Sequence, residues 1–215
     1  MLKGIKDRKY IVLISILSII FILIGVSLMV FSQINNTIKY NEDIKLLDDF
    51  DTNQENVSDV IEVNTSKDTT TISHKSNESY LAVLEIPKIN LRRGFFNKTS
   101  NNNNVNKNIY LLKESQMPNV DKGNLILAAH SGNSRVAFFN ELNKLTNRDE
   151  ANILYNGEKY VYELINCYEI DKTGKANIVR NSEMTTLTLI TCKQKTKKQF
   201  VFIFELKMIE GGESE

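Results

Sequence analysis

The chain has 215 residues, 41% of them apolar, and a formal net charge of +1. Near-neutrality gives no sign of a nucleic-acid surface, and two cysteines are too few for a disulfide scaffold. The charge is nevertheless segregated: residues 1–32 carry four basic groups and one acid, residues 33–78 four and ten, and residues 79–215 nineteen and fifteen. Only the last section has the strand and turn patterns that bury a core, at about the size of one ordinary domain.

Residues 1–9 are a basic stub with Lys3, Lys6, Arg8 and Lys9. The next 22 residues, 10–31, carry no charge and are rich in Ile, Leu, Val and Phe. At about 1.5 Å per residue they make a helix of roughly 33 Å, enough to cross a hydrocarbon core of about 30 Å. The run is longer than a signal-peptide core, and no small-x-small site follows Phe31, so a retained single-pass anchor is expected. Lysines cluster before the span, which places the N-terminus in the cytoplasm and everything after it outside.

Residues 32–78 read as an extracytoplasmic polar linker. Ile38, Leu46, Leu47 and Phe50 are spaced for a short helix within it, whereas Val63 to Ile72 is a polar spacer. His74, in Ser73-His74-Lys75-Ser76, is an ordinary linker residue.

From residue 79 the pattern changes to strands and turns, ending near residue 209 before a polar tail, 210–215. Strands are predicted at Tyr80–Ile86, with a short continuation at Ile89–Leu91 after Pro87, and at Asn124–His130. A helix is predicted at Val136–Leu145, with Phe138, Leu142 and Leu145 on one side. Further strands follow at Asn152–Tyr155, Tyr160–Ile170, Thr186–Cys192 and Phe200–Leu206, with Asn156-Gly157 as a tight turn. About eight short strands and one or two short helices predict an all-β, closed or nearly closed barrel.

The chemistry concentrates at two strand tips. Thr186–Cys192 ends in a thiol, and Asn124–His130 ends in the domain's one imidazole. A free thiol with pKa near 8.5 is only about 3% thiolate at pH 7, so a nucleophilic cysteine needs a base or cationic neighbours. Alternation sets Thr188, Ile190 and Cys192 on one face, and Gln199, Val201 and Ile203 on one face of the last strand. If those two strands form a hairpin, Cys192 and Gln199 share a rim. The loop between them, Lys193 to Lys198, carries four lysines and reads first as a solvated turn. Cys167, inside a long strand pattern, reads as a packing residue rather than a reagent or a disulfide partner. Two histidines and two separated cysteines make no metal cluster.

Three segments resemble the sortases. Leu84-Glu85-Ile86-Pro87-Lys88-Ile89 is similar to that family's first-strand segment, Leu125–Gly132 to its catalytic-histidine segment, and Leu187-Thr188-Leu189-Ile190-Thr191-Cys192 to its TLxTC motif. The resemblance spans roughly residues 80–207, and the anchor and linker fit the same layout. It implies a sortase-like barrel and a cysteine transpeptidase. Cys192 matches the nucleophile that attacks the Thr–Gly bond of an LPxTG-like sorting signal to give a thioacyl-enzyme. His130 matches the acid/base. The implied partners are surface proteins with a C-terminal sorting signal, and a peptidoglycan precursor or pilin amine as acceptor.

One position departs from the family. Where sortases carry an arginine at the start of the last strand, this chain has Gln199, which donates a hydrogen bond but supplies no charge. Lys197, Lys198, Arg135 and Arg180 are other candidate cations. The resemblance implies no cofactor; some members use calcium, and no dense acidic cluster here assigns it. The alternatives are a catalytically weakened peptide- or cell-wall-binding module and a hydrolase that uses water as acceptor.

Overall fold

A computed structural model of the chain describes residues 3–58 and 79–211. The chain divides into two compact units, Met1–Lys45 and Leu46–Glu215. The helix α1 (Lys3–Ser58) supplies the first unit and the start of the second. It is far longer than the short helix expected inside the linker, because no glycine or proline interrupts the sequence from Val26 to Ser58. All side chains from Leu17 to Phe31 are exposed. Among the described residues, no helix is long and apolar enough to cross a membrane. The side chains of residues 10–16, part of the expected span, lie outside the described residues, as do His74 and the end of the tail.

The second unit is an eight-stranded sheet of order β2-β1-β5-β6-β8-β7-β4-β3. Its strands are β1 (Ala82–Ile86), β2 (Leu91–Phe95), β3 (Tyr110–Leu111), β4 (Asn124–Ala128), β5 (Glu150–Tyr155), β6 (Glu158–Asp171), β7 (Thr186–Cys192) and β8 (Lys198–Glu210). A bridge between Phe95 and Ile109 brings the two sheet edges together, so the sheet closes into a barrel. Every strand pair is antiparallel except β4 with β7. The long β6–β8 ribbon slips register at Val161/Tyr162 and Leu164/Asn166, and such bulges bend a strand around the barrel.

The barrel interior follows the period-2 pattern. Leu84, Ile86, Leu125, Leu127, Leu187, Leu189, Phe202 and Phe204 are all buried in one apolar cluster. On the far face of β4, β7 and β8, Ile126, Thr188, Ile190, Val201 and Ile203 are buried as well. A strand buried on both faces reads as a near-continuous apolar run, and Thr186–Cys192 departs from that only at three threonines whose hydroxyls are hydrogen-bonded.

A smaller cluster lies outside the barrel. Phe50, from the last turns of α1, packs with Tyr80, Val83 and Phe96, flanked by Leu46, Leu47 and Leu154. Arg92 locks the same contact, with one nitrogen 2.7 Å from Glu85 and another 2.7 Å from Asp51. Gly94 makes room for it: a Cβ there would lie 2.1 Å from the Tyr80 ring.

Three local expectations change. Ile89–Leu91 is not one strand: Pro87–Ile89 forms a 3-10 turn, Asn90 takes a left-handed conformation (φ 51°), and β2 begins at Leu91. Val136–Leu145 is not an α-helix but a chain of tight turns with a 3-10 segment at Leu142–Lys144. The buried residues there are Phe139, Leu142 and Leu145, three apart, which suits the 3-10 period rather than the α-helical one. Cys167 is exposed rather than packed. It follows the β6 bulge, beyond the stretch of that strand that faces the core.

Gly94→Ala drives a methyl group into the Tyr80 ring, and overpacking of this kind costs about 1–3 kcal/mol. Thermal unfolding of the full chain is expected to show that loss, whereas an unchanged midpoint would mean that Tyr80 is free to move away.

Candidate active site

The parallel β4–β7 ladder pairs Asn124 with Thr186 at one end and Ala128 with Ile190 at the other. It continues one step past β4, through the Ala129 amide donating to the Ile190 carbonyl at 3.3 Å. His130 and Cys192 lie two residues past Ala128 and Ile190, the last pair of the ladder, so a register carried on past β4 would set them level on the face of those two residues. Both side chains are half-buried. Among the described residues, no hydrogen bond joins the Cys192 thiol to the His130 ring.

Side-chain bonds hold both ends of this pairing. At the lower end Asn124 Oδ1 accepts from Thr186 Oγ1 at 3.0 Å and from Thr188 Oγ1 at 2.8 Å, all buried. At the upper end Thr191 Oγ1 donates to the Ala129 carbonyl at 2.9 Å. Ser131 Oγ donates to the Cys192 carbonyl. Asn140 Oδ1 accepts from the Gly132 amide at 3.0 Å and from Gln194 Nε2 at 2.8 Å, which ties the turn after His130 to the loop after Cys192.

Gln199 stands directly opposite Cys192 in the β7–β8 register, so the two side chains share a face. No hydrogen bond to its amide occurs among the described residues, and the group is not spent elsewhere. Of the other candidate cations, Arg180 is at the wrong end of the ladder: it donates to the carbonyls of Met184, at 3.0 Å, and Lys122, at 3.1 Å. Lys198 lies 3.5 Å from Glu169. Lys193 also bonds Glu169, and these lysines hold its carboxyl below the usual range. The lysine loop is therefore partly neutralised and tethered to β6.

Both cysteines are free. Desolvation at sulfur, and then the charge of Glu169, push the Cys167 thiol up, which disfavours its thiolate. Cys192 instead opens onto a cavity of about 340 Å³, bordered by Ser131, Phe139, Asn140, Gln194 and Phe200. Among the described residues, no three His, Cys, Asp or Glu side chains converge as a metal site would require.

A thiol and an imidazole at the ends of parallel strands, with an uncommitted amide across the hairpin, are the parts of nucleophilic acyl transfer. The sortase-domain family model matches residues 84–206. The chain belongs to the sortase family. Among solved structures, Listeria monocytogenes sortase A is 24% identical with a TM-score of 0.51, over 61% of this chain and 89% of that one. A Clostridium perfringens sortase D5 transpeptidase is 17% identical with a TM-score of 0.56, over 80% and 99%. Streptococcus pneumoniae sortase C is 18% identical with a TM-score of 0.54, over 62% and 71%. No curated protein matches. At these identities the structural likeness concerns the barrel.

The facing of Cys192 and Gln199 follows from the sequence, whereas the contacts of Ser131 and Asn140 do not. Their roles depend on contacts between loops, and an Asn or Ser in a polar loop carries no signal of its own.

Asn124→Leu leaves the Thr188 hydroxyl without its buried acceptor and the Thr186 hydroxyl with only the Gly123 carbonyl, at 3.4 Å. The expected cost is about 1–3 kcal/mol, read by chemical denaturation. Wild-type stability in this variant would show that the ladder does not depend on that bond.

Proposed function

We propose that the protein is a cysteine transpeptidase acting on an LPxTG-like sorting signal, with Cys192 as nucleophile and His130 as acid/base. The observation that supports this reading is the β4–β7 register, whose last pair, Ala128 with Ile190, lies two residues before His130 and Cys192. Cys192 gives its proton to His130 as sulfur bonds to the Thr carbonyl carbon. The C–N bond to Gly then breaks as His130 protonates the leaving amine. A second amine attacks the thioester, His130 takes its proton, and the thiolate leaves. Gln199 donates its amide hydrogen to the oxyanion. The cavity beside Cys192 is within the size range of small-ligand pockets and gives the substrate a wall to pack on.

The donor in this reading is a surface protein with a C-terminal sorting signal, and the acceptor amine belongs to a peptidoglycan precursor or a pilin. Residues 10–31 anchor the chain as a single-pass membrane protein, with the N-terminus cytoplasmic and the barrel extracytoplasmic. The length of the uncharged run, the basic stub and the exposure of the apolar side chains from Leu17 to Phe31 support this placement. Tethering enzyme and substrate to one surface raises their effective concentration without new contacts.

One observation favours a second reading, a weakened enzyme kept as a binding module: Gln199 is neutral where the family has arginine. Full-length chain in mild detergent, given a panel of LPxTG-like peptides and an amine, separates the two by mass spectrometry of products. The expected outcome is a ligated product that Cys192→Ala abolishes and Gln199→Ala slows by roughly 10²-fold. Cleavage without ligation would identify a hydrolase. No cleavage of any peptide, by folded chain whose Cys192 still reacts with a thiol reagent, would leave the binding module.

A further inference from the structure

The His130 ring makes one hydrogen bond among the described residues, from Nε2 to Asn106 Oδ1 at 3.0 Å. An amide carbonyl oxygen can only accept, so this contact is a hydrogen bond in the tautomer with the proton on Nε2, which leaves the lone pair of the neutral ring on Nδ1.

The loop that presents Asn106 is held by its own asparagines. Asn103 forms a two-point contact with the Leu111 backbone, its Oδ1 accepting at 2.7 Å and its Nδ2 donating at 3.0 Å, and is itself buried. Asn104 Oδ1 accepts from the Asn106 amide at 2.9 Å, and its carbonyl accepts from the amides of Lys107 and Asn108 at 2.8 Å each. Arg93 closes the arrangement from β2. Its Nε donates to Asn108 Oδ1 at 3.0 Å while the guanidinium lies 4.3 Å from the centre of the Phe138 ring, on the turn after His130. The loop carrying Asn106 and the turn following His130 are clamped by one side chain.

We propose that Asn106 is the positioning residue of His130: its neutral carbonyl fixes the Nε2–H tautomer and leaves Nδ1 to exchange the proton with Cys192 and the two amines. The proposal rests on the acyl-transfer reading of Cys192 and His130. Neutrality matters as much as direction. A carboxylate at this position would orient the ring equally well but would stabilise the imidazolium and weaken it as an acid toward the leaving amine. The titratable and charged groups on the neighbouring elements are Arg93 on β2, Lys107 on the Asn106 loop, Tyr110 on β3, Arg135 and the paired Glu141 and Lys144 on the following turns, and Cys192 on β7, with Lys193 bound to Glu169 beyond it. Among these, no carboxylate accepts from the imidazole, so the amide is its orienting acceptor.

The test uses the full-length chain in a His74→Gln background, where His130 is the only histidine. Nitrogen-15 spectra of the ring report its tautomer and its titration midpoint, and neither needs a substrate. The expected results are a predominant Nε2–H form, a mixture of tautomers in Asn106→Ala, and a midpoint raised by about one pH unit in Asn106→Asp. With a peptide that is turned over, Asn106→Ala lowers kcat/KM by roughly 10- to 100-fold, part of what a positioned acid/base supplies. Unchanged tautomer and midpoint in both variants would overturn the proposal even if ligation proceeds. A failure of every peptide to react would sink the transpeptidase reading, while the spectra still decide the role of Asn106.

Discussion

The fold depends on one interaction, the parallel ladder between β4 and β7. It joins residues that are about sixty apart in sequence, and β5 and β6 travel round the barrel between its two strands. Both strands are buried on both faces, so the ladder cannot slip. A shift of one residue would turn Leu187 and Leu189 out of the core and carry Cys192 inward, exchanging every side chain between faces. The apolar pattern that buries the core is therefore also what aims the thiol. The buried Asn124–Thr186–Thr188 bonds add a directional lock at the end farthest from the chemistry.

Around the ladder's upper end, the polar groups beside His130, Cys192 and the adjoining turns are chiefly neutral: Asn106, Ser131, Asn140 and Gln199. The charges nearby are mostly held elsewhere, Lys193 and Lys198 by Glu169 and Arg93 by Asn108 and the Phe138 ring. Such a setting offers the imidazole a neutral hydrogen-bond partner. It is compatible with the proposed acyl transfer, in which one imidazole would protonate a first amine and deprotonate a second. Gln199 continues the same character on the β8 side, where a guanidinium would add a fixed positive charge.

Much of this was legible in the residues. The bounds of Thr186–Cys192 are those of β7, because a β-branched apolar run ending in polar lysines has few other readings. The facing of Cys192 and Gln199 follows from alternation and a short hairpin loop. What escaped was carried by tertiary contacts. The strand β2, Leu-Arg-Arg-Gly-Phe, looks unlike a strand until Arg92 is matched to Glu85 and Asp51, and Arg93 to Asn108 and Phe138. The two residues of β3 are too few to show a period. The asparagine run at 101–104 is by composition only a polar loop, yet Asn103 anchors it to Leu111 and Asn104 bonds the Asn106 amide. Phe138 invited an α-helical pattern that Phe139, Leu142 and Leu145 fulfil at a spacing of three.

Carried on past Ala128 and Ile190, the ladder would bring residue 130 and Cys192 side by side at one rim. The most direct test of this is a chemical distance measurement on His130→Cys in a Cys167→Ser background, which leaves two thiols, one at each strand tip. A short bifunctional thiol reagent, followed by intact-mass analysis of the full-length chain, reads whether one molecule bridges both. The account predicts a single intramolecular bridge that forms in preference to two separate adducts. Two singly modified thiols with no bridge, in a folded chain, would mean that the strand tips do not meet, and would contradict the site as described.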